Sequence, residues 1–265
     1  MASTQSCCCF AVEIARIDMS VRTCAISQPT FLPWLGWFDL LDQVDVFVLL
    51  DDVSFSKQSW QQRNRIRTAN GLEYLTVPVI SSGKLGQLIS ECQLANSFFA
   101  RKLLGTLQAN YARAPFFKDL FPELALLFKE TGEGTSLVEL NYSLIRWMVR
   151  YLGITTPMYM ASALGVEGER GDHVARICEL FDSSKYISPV GAAEYLIEDK
   201  CAFDSRAIRV FLQGYEHPEY TQCFLPFVPY AAALDLMFNA GPASLEIIRS
   251  GRRIPMPIEY WRKKL

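Results

Sequence analysis

Two neighbouring carboxylates, Asp51-Asp52, end the apolar run Val46-Phe47-Val48-Leu49-Leu50. In parallel α/β sheets ligands bind outside the carboxyl ends of the strands, so acids placed there suit a general base or a Mg²⁺ ligand. Neighbouring strand residues point to opposite faces, so at most one of the two faces a site directly. The competing reading is a polar strand end that caps the next loop. Shortly beyond, Lys57-x-x-Trp60-x-x-Arg63-Asn64 gathers an ammonium, an indole and a guanidinium fork, a set suited to holding phosphate or carboxylate. Arg63, Arg65 and Arg67 share one face by the period of a strand, with Asn64 and Thr68 on the other. Arg67, close to a turn, is expected to lie on a solvated face.

A second group of candidates precedes the acids. Gln28-Pro29-Thr30-Phe31-Leu32-Pro33-Trp34-Leu35-Gly36-Trp37 links a short apolar strand to a helix. Pro29 and Pro33 stiffen this turn, Gly36 permits close backbone approach, and the helix start favours an anion. The indoles of Trp34 and Trp37 offer stacking faces, or serve as core wedges. A similar strand–turn–helix passage recurs at Ser188-Pro189-Val190-Gly191, followed by Tyr195, and could face the same crevice. Asp235 and Asn239, four apart, could present one polar helix face or cap the helix near Gly241. His173 and His217 are the two histidines. A nucleophilic pair of Cys223 with His217 is permitted by the sequence but not required by any spacing. No G-x-S-x-G, Walker loop, H-E-x-x-H or cysteine-rich zinc spacing is present, which weakens serine-hydrolase, P-loop and zinc-enzyme readings.

The elements that must position these residues follow from apolar periodicity. A strand over residues 22–27, a helix over 36–43 and a continuous apolar strand over 45–50 form a βαβ unit. Residues 61–68 and 72–79 flank Ala69-Asn70-Gly71 and read as a hairpin. A helical stretch follows, clearest where Ser136 and Glu139 form a capping box before a leucine stripe closed by Gly153. Strands at 156–160, 185–188 and 207–213 then alternate with helices, one of them expected to be capped by Asp172 and a last one around Gly241-Pro242. The expected fold class is α/β: a Rossmann-like, mostly parallel sheet of about five strands with a β-hairpin and a helical insertion. Residues 1–20 read as a leader, disordered or an artefact with Met19 as the natural start; 21–250 form one domain and 251–265 a solvated basic tail.

Composition bounds the function. The net charge of −2 gives no electrostatic reason to expect nucleic acid as a partner. No uncharged apolar window reaches the length of about 18 residues that a membrane span needs. The eight cysteines form no CxxC pair and several sit in apolar segments, the pattern of reduced thiols in a cytoplasmic protein. The cluster Cys7-Cys8-Cys9 lacks a preceding basic residue and does not read as a secretory signal; palmitoylation is its functional alternative.

The blocks Gln28-Pro29-x-x-x-Pro33-Trp34-x-Gly36-Trp37-Phe38, Asp45-x-Phe47-Val48-x-x-Asp51-Asp52-Val53, Lys57-x-x-Trp60-x-x-Arg63-Asn64 and Leu75-Thr76-Val77-Pro78-Val79 together resemble the WbqC-like family. Tyr186-Ile187-Ser188 through Gly191 and Tyr195, and Leu234-Asp235-Leu236-Met237-Phe238-Asn239-x-Gly241, look similar as well. Trp37 and Ser188-Pro189 depart from the residues expected of relatives. The resemblance implies a setting in bacterial surface-polysaccharide or related biosynthesis rather than a particular reaction. The expectation is a transferase attaching an acyl or aminoacyl group to an amine such as an amino sugar. Asp51, Asp52 and Lys57 would be catalytic; Gln28, Pro29, Trp34, Trp60, Arg63, Asn64, Ser188, Gly191 and Tyr195 would bind a small-molecule substrate, a nucleotide-sugar or carrier-bound acyl group. No cofactor is named by the sequence. Nucleotidyl or adenylyl transfer on a Rossmann-like fold, and a non-catalytic partner in a biosynthetic complex, are the alternatives.

Overall fold

A computed structural model describes residues 23–129, 131–132 and 134–262. The leader, with Cys7, Cys8 and Cys9, and the last two lysines lie outside the described residues. β1 (Thr23–Ser27), α1 (Leu35–Asp42) and β2 (Val46–Leu49) form a parallel unit in which Cys24 stands opposite Val46 and Ser27 opposite Leu49. All of β2 is buried, as a strand covered on both faces must be. The hairpin β3 (Arg63–Thr68) and β4 (Gly71–Thr76) makes its own two-stranded sheet. Its register puts Ala69-Asn70 in the turn, because Gly71 pairs with Thr68 and takes the left-handed φ of +114°.

The helical insertion comprises α2 (Phe98–Tyr111), α3 (Phe117–Lys129) and α4 (Leu137–Leu152). Ser136 Oγ accepts from the Glu139 N–H at the start of α4, and Gly153 closes it at φ +73°. The chain then runs through β5 (Met158–Met160), α5 (Arg170–Leu180), β6 (Lys185–Ser188), α6 (Ala193–Glu198), α7 (Lys200–Asp204) and β7 (Arg209–Tyr215). It ends with α8 (Ala233–Ala240), α9 (Ser244–Ser250) and β8 (Arg252–Pro257). Glu169, rather than Asp172, occupies the cap position of α5; Asp172 lies within the first turn, where its carboxylate meets Arg176 and Arg206.

The six-stranded sheet has the order β5-β2-β1-β6-β7-β8. Its strands are parallel except β8, which runs antiparallel to β7. Counted within this sheet alone, the order is 3-2-1-4-5-6, that of doubly wound dinucleotide-binding folds. The α/β expectation therefore holds, with one strand more than expected. Alternate strand residues feed two apolar clusters: Ala25, Phe47 and Ile187 face α1, the insertion and α8, while Cys24, Val48 and Tyr186 face α5, α6 and α7. Among the described residues no helix is long and apolar enough to cross a membrane.

The extra strand comes from the segment read as a solvated tail. Arg252 Nε donates to Asp39 Oδ1 at 2.7 Å and its Nη2 to Asp42, while Arg249 also pairs with Asp42. Asp39 is fully buried inside α1. A buried carboxylate needs a cation and hydrogen bonds to be tolerated, and this requirement draws β8 onto the sheet edge.

Candidate functional site

The sheet order reverses between β1 and β6, since the chain leaves β1 toward β2 and β5 and later returns to its other side. Doubly wound folds bind ligands at such a switch point because adjacent connections depart to opposite faces and leave a crevice. A cleft of about 610 Å³ opens there, reached by Ser27 at the end of β1 and Ser188 at the end of β6. Of the residues singled out from sequence, Gln28, Trp34, Trp60, Asn64, Ser188, Gly191 and Tyr195 line it. Pro29, Asp51, Asp52, Lys57 and Arg63 lie off the lining.

The β1–α1 turn is heavily constrained. Leu32 holds φ at +44°, a costly conformation for a branched side chain. Asn64 compensates: its Nδ2 donates to the carbonyls of Phe31 (3.1 Å) and Leu32 (2.7 Å), and its Oδ1 accepts from the Arg65 N–H at 2.8 Å. Asn141 of α4 donates to the carbonyls of Pro29 (3.0 Å) and Gln61 (2.8 Å). Gln61 Nε2 in turn donates to Gln28 Oε1 at 2.8 Å. Asn64 thus lines the cleft while its amide is committed to holding the turn, and Pro29 contributes a carbonyl to the same lattice. The Gln28 oxygen being taken, its NH₂ remains to donate to a ligand.

Trp34 and Gly36 form one device. The indole folds back over the first turn of α1, so that a Cβ at position 36 would lie 2.4 Å from Cη2 and Cζ2. Its ring meets Tyr215 edge-on at 5.5 Å, stacks on His217 at 6.2 Å and packs against Tyr230 at 5.7 Å. Trp34 is both a wedge and a cleft wall. Trp37 is only 5% exposed, yet lines the cleft and has no acceptor for its Nε1 among the described residues. Buried donors are ordinarily satisfied, so this N–H is a local cost of building the wall.

Gln213 of β7 braces the wall, donating to the Gly36 carbonyl at 2.7 Å and to Asp39 Oδ2 at 2.9 Å. Burial raises the Asp39 carboxyl above its ordinary range, against the opposing pull of Arg252 and Gln213. Burial likewise raises the Tyr195 phenol, which therefore stays a protonated donor at the cleft. Arg65 is the one ionic side chain on the lining, among the described residues. Arg65 belongs to the arginine row that the two-residue period marks in the sequence, whereas Gln61, Gln213 and Tyr230 carry no sequence signal for the cleft.

The remaining candidates lie away from the cleft lining. Asp51 is 2% exposed and accepts from the Ser162 N–H (2.9 Å) and Ser162 Oγ (2.6 Å). Asp52 Oδ2 lies 3.0 Å from His173 Nε2, although not along a hydrogen-bonding direction, which leaves both ring nitrogens without a directed partner. Lys57 is exposed on its loop. Arg63 lies over the Tyr74 ring at 4.5 Å. Arg67 is not solvated: it is 3% exposed, donates to the carbonyls of Thr68 and Pro226, and faces Phe224. The segment carrying Phe224 and Pro226 covers it, which hairpin periodicity could not reveal.

Asp235 is internal as well, accepting from Tyr111 (2.6 Å), Tyr220 (2.8 Å) and Gln222 (2.9 Å). Asn239 donates to the Asp235 carbonyl, and Cys223 Sγ lies 3.3 Å from Asn239 Oδ1. His217 Nδ1 is 2.9 Å from the Pro218 carbonyl, and burial lowers its pKa, favouring neutral imidazole. His217 and Cys223 are therefore engaged with different groups rather than with each other. Among the described residues no three His, Cys, Asp or Glu side chains converge to hold a metal.

The pattern that defines the WbqC-like protein family matches residues 28–247. That span begins at Gln28, on the cleft, and takes in the hairpin and the β6 turn. The chain is 32% identical over 234 residues to uncharacterized protein Rv1507c of Mycobacterium tuberculosis, covering 88% of this chain and 100% of that one. No solved structure matches the chain. With the family pattern spanning the hairpin, the insertion and most of the sheet, the chain belongs to the WbqC-like protein family.

Proposed function

We propose that this chain is a cytoplasmic biosynthetic transferase that holds a small polar molecule, such as an amino sugar, in the β1/β6 cleft and attaches an acyl or aminoacyl group to its amine. The observation that carries the reading is the lining at the switch point: indole walls from Trp34, Trp37 and Trp60, with amide and hydroxyl groups from Gln28, Ser188 and Tyr195. Indole faces suit the C–H faces of a sugar ring, and sparse convergent polar groups suit its hydroxyl rim. The Gln28 NH₂ supplies a donor for a developing oxyanion. Proton removal is assigned to Asp52, which stands two residues beyond the cleft-lining Leu50 and whose Oδ2 lies 3.0 Å from His173 Nε2. Asp51, held by Ser162, is assigned to positioning that strand end, and Lys57 to attracting an anionic donor.

The test is incubation of the purified protein with amino sugars and activated acyl donors, read by mass spectrometry for the N-acylated product. Turnover that falls with Asp52→Asn and Gln28→Ala, in variants that keep the wild-type melting temperature, supports the reading. Full activity in both variants overturns the assigned roles, and absence of amino-sugar binding or conversion overturns the function. A second reading, nucleotidyl transfer, is favoured by the 3-2-1-4-5-6 sheet order and predicts pyrophosphate release from a nucleoside triphosphate.

A further inference from the structure

Folds with this sheet order seat a diphosphate on a glycine-rich β1–α1 turn that opens onto a helix N-terminus. Here that place is filled. Phe31 and Leu32 are fully buried in the turn, its carbonyls are taken by Asn64 and Asn141, and the Trp34 indole covers Gly36 in the first turn of α1. A phosphorylated ligand using this cleft must find its cations elsewhere.

The hairpin supplies them. Arg63 and Arg65 alternate on β3, and Tyr74 stands opposite Arg65 on β4. The Arg63 guanidinium lies 4.5 Å from the Tyr74 ring centre, Arg65 lies 5.3 Å from Trp60, and the two rings are 6.3 Å apart. The row is continuous with the cleft, because Trp60 and Arg65 also line it. Trp60 is 48% and Tyr74 49% exposed, so each ring keeps an open face. Among the described residues neither guanidinium pairs with a carboxylate; Arg65 makes one long bond of 3.4 Å to the Tyr230 carbonyl and its Nε is buried without a partner. Glu73, the acid of the hairpin, accepts from Thr68 Oγ1 near the turn.

Unneutralised guanidinium forks interleaved with open aromatic faces suit two chemistries at once: phosphate, gripped bidentately, and a nucleobase, stacked on a ring. We infer that the Arg63–Tyr74–Trp60–Arg65 row binds a nucleoside diphosphate at the cleft mouth, its base on the aromatic faces and its phosphates on the two arginines. The group carried on the β-phosphate then reaches past Arg65 into the cleft. This deepens the transferase reading by naming a nucleoside diphosphate as the handle of one of its two substrates, and rests on that reading for that substrate's role but not for binding.

Calorimetry on the full chain with UDP, ADP, uridine, adenosine and pyrophosphate tests the inference, using wild type, Arg63→Gln and Tyr74→Ala. Both substitutions lie off the cleft lining. A nucleoside diphosphate binds, its nucleoside and pyrophosphate each bind roughly tenfold or more weakly, and each substitution weakens the diphosphate about tenfold. A preference for UDP points to a sugar nucleotide that carries the acceptor amine, and one for ADP to a coenzyme-A-like thioester donor whose thiol leaves as the amide forms. Unchanged circular dichroism spectra and a cooperative thermal transition show that the variants remain folded. Absence of diphosphate binding, or affinity unchanged in both variants, overturns the inference. If amines are acylated while diphosphate affinity ignores both substitutions, the row fails and the transferase reading stands. If the diphosphate binds through the row and no amine is acylated, the reverse holds.

Discussion

Gly36→Ala is the sharpest probe of how the cleft wall is built. Taken alone, replacing a helical glycine by alanine stabilises by about 0.5–1 kcal/mol, because the unfolded chain loses freedom. Here the new Cβ would stand 2.4 Å from two atoms of the Trp34 indole. Carbon atoms pack at about 3.5–4 Å, so the ring must retreat by roughly 1 Å or more. That displacement weakens its contacts with Tyr215, His217 and Tyr230, each such pair being worth about 0.5–1.5 kcal/mol. The expected net cost is about 1–3 kcal/mol, a fall in Tm on the order of 5 °C. In a Trp34→Ala background the clash is absent, so Gly36→Ala should there be neutral or stabilising. Urea unfolding of the four proteins of this cycle gives the coupling directly. Equal cost in both backgrounds would refute the argument that Gly36 exists to seat the indole.

Asn64→Ala should cost about 2–4 kcal/mol in urea unfolding, since two buried carbonyls lose their donor and Leu32 loses the restraint on its positive φ; a loss under 0.5 kcal/mol would show that the turn holds itself. Asp39→Ala should cost about 2–4 kcal/mol by leaving Arg252 and Gln213 short of a partner. Combining Asp39→Leu with Arg252→Met should cost less than the two single changes added together, and simple additivity by denaturation would speak against a coupled pair. Burial raises the Asp235 carboxyl despite the donors Tyr111, Tyr220 and Gln222. With its folded pKa above the unfolded value of about 3.9, the native state binds the extra proton, so stability falls as pH rises between the two values. Wild type should therefore gain stability relative to Asp235→Asn as pH drops through the folded pKa toward the unfolded value, and parallel pH profiles would exclude Asp235 as the source.

Local pattern made much of this fold legible. The Val46–Leu49 run could only be a doubly covered strand, and the Ser136–Glu139 box with Gly153 marked both ends of α4. The cleft was legible where backbone topology sets it: Gln28 follows the end of β1 and Ser188 ends β6, the two strands that flank the switch point. Side-chain partners across long separations were not legible. Nothing near Asp51 announces Ser162, and nothing near Asp52 announces His173, so acids at a strand end looked available when each has a partner. Arg252 was misread for the same reason, because its burial is decided by Asp39, a residue 213 positions away. Trp34 combines the two roles that the sequence offered as alternatives.

The route by which Arg252 reaches α1 has a temporal consequence. On the ribosome α1 emerges early, carrying Asp39 in what will become the interior, while its counter-ion is synthesised some 200 residues later. Until then Asp39 lacks its counter-ion, so a nascent chain holding every cleft residue up to Tyr230 still lacks the ion pair that braces the wall. A charge-compensated edge strand thus ties the wall of the cleft, built early in the chain, to residues near its far end.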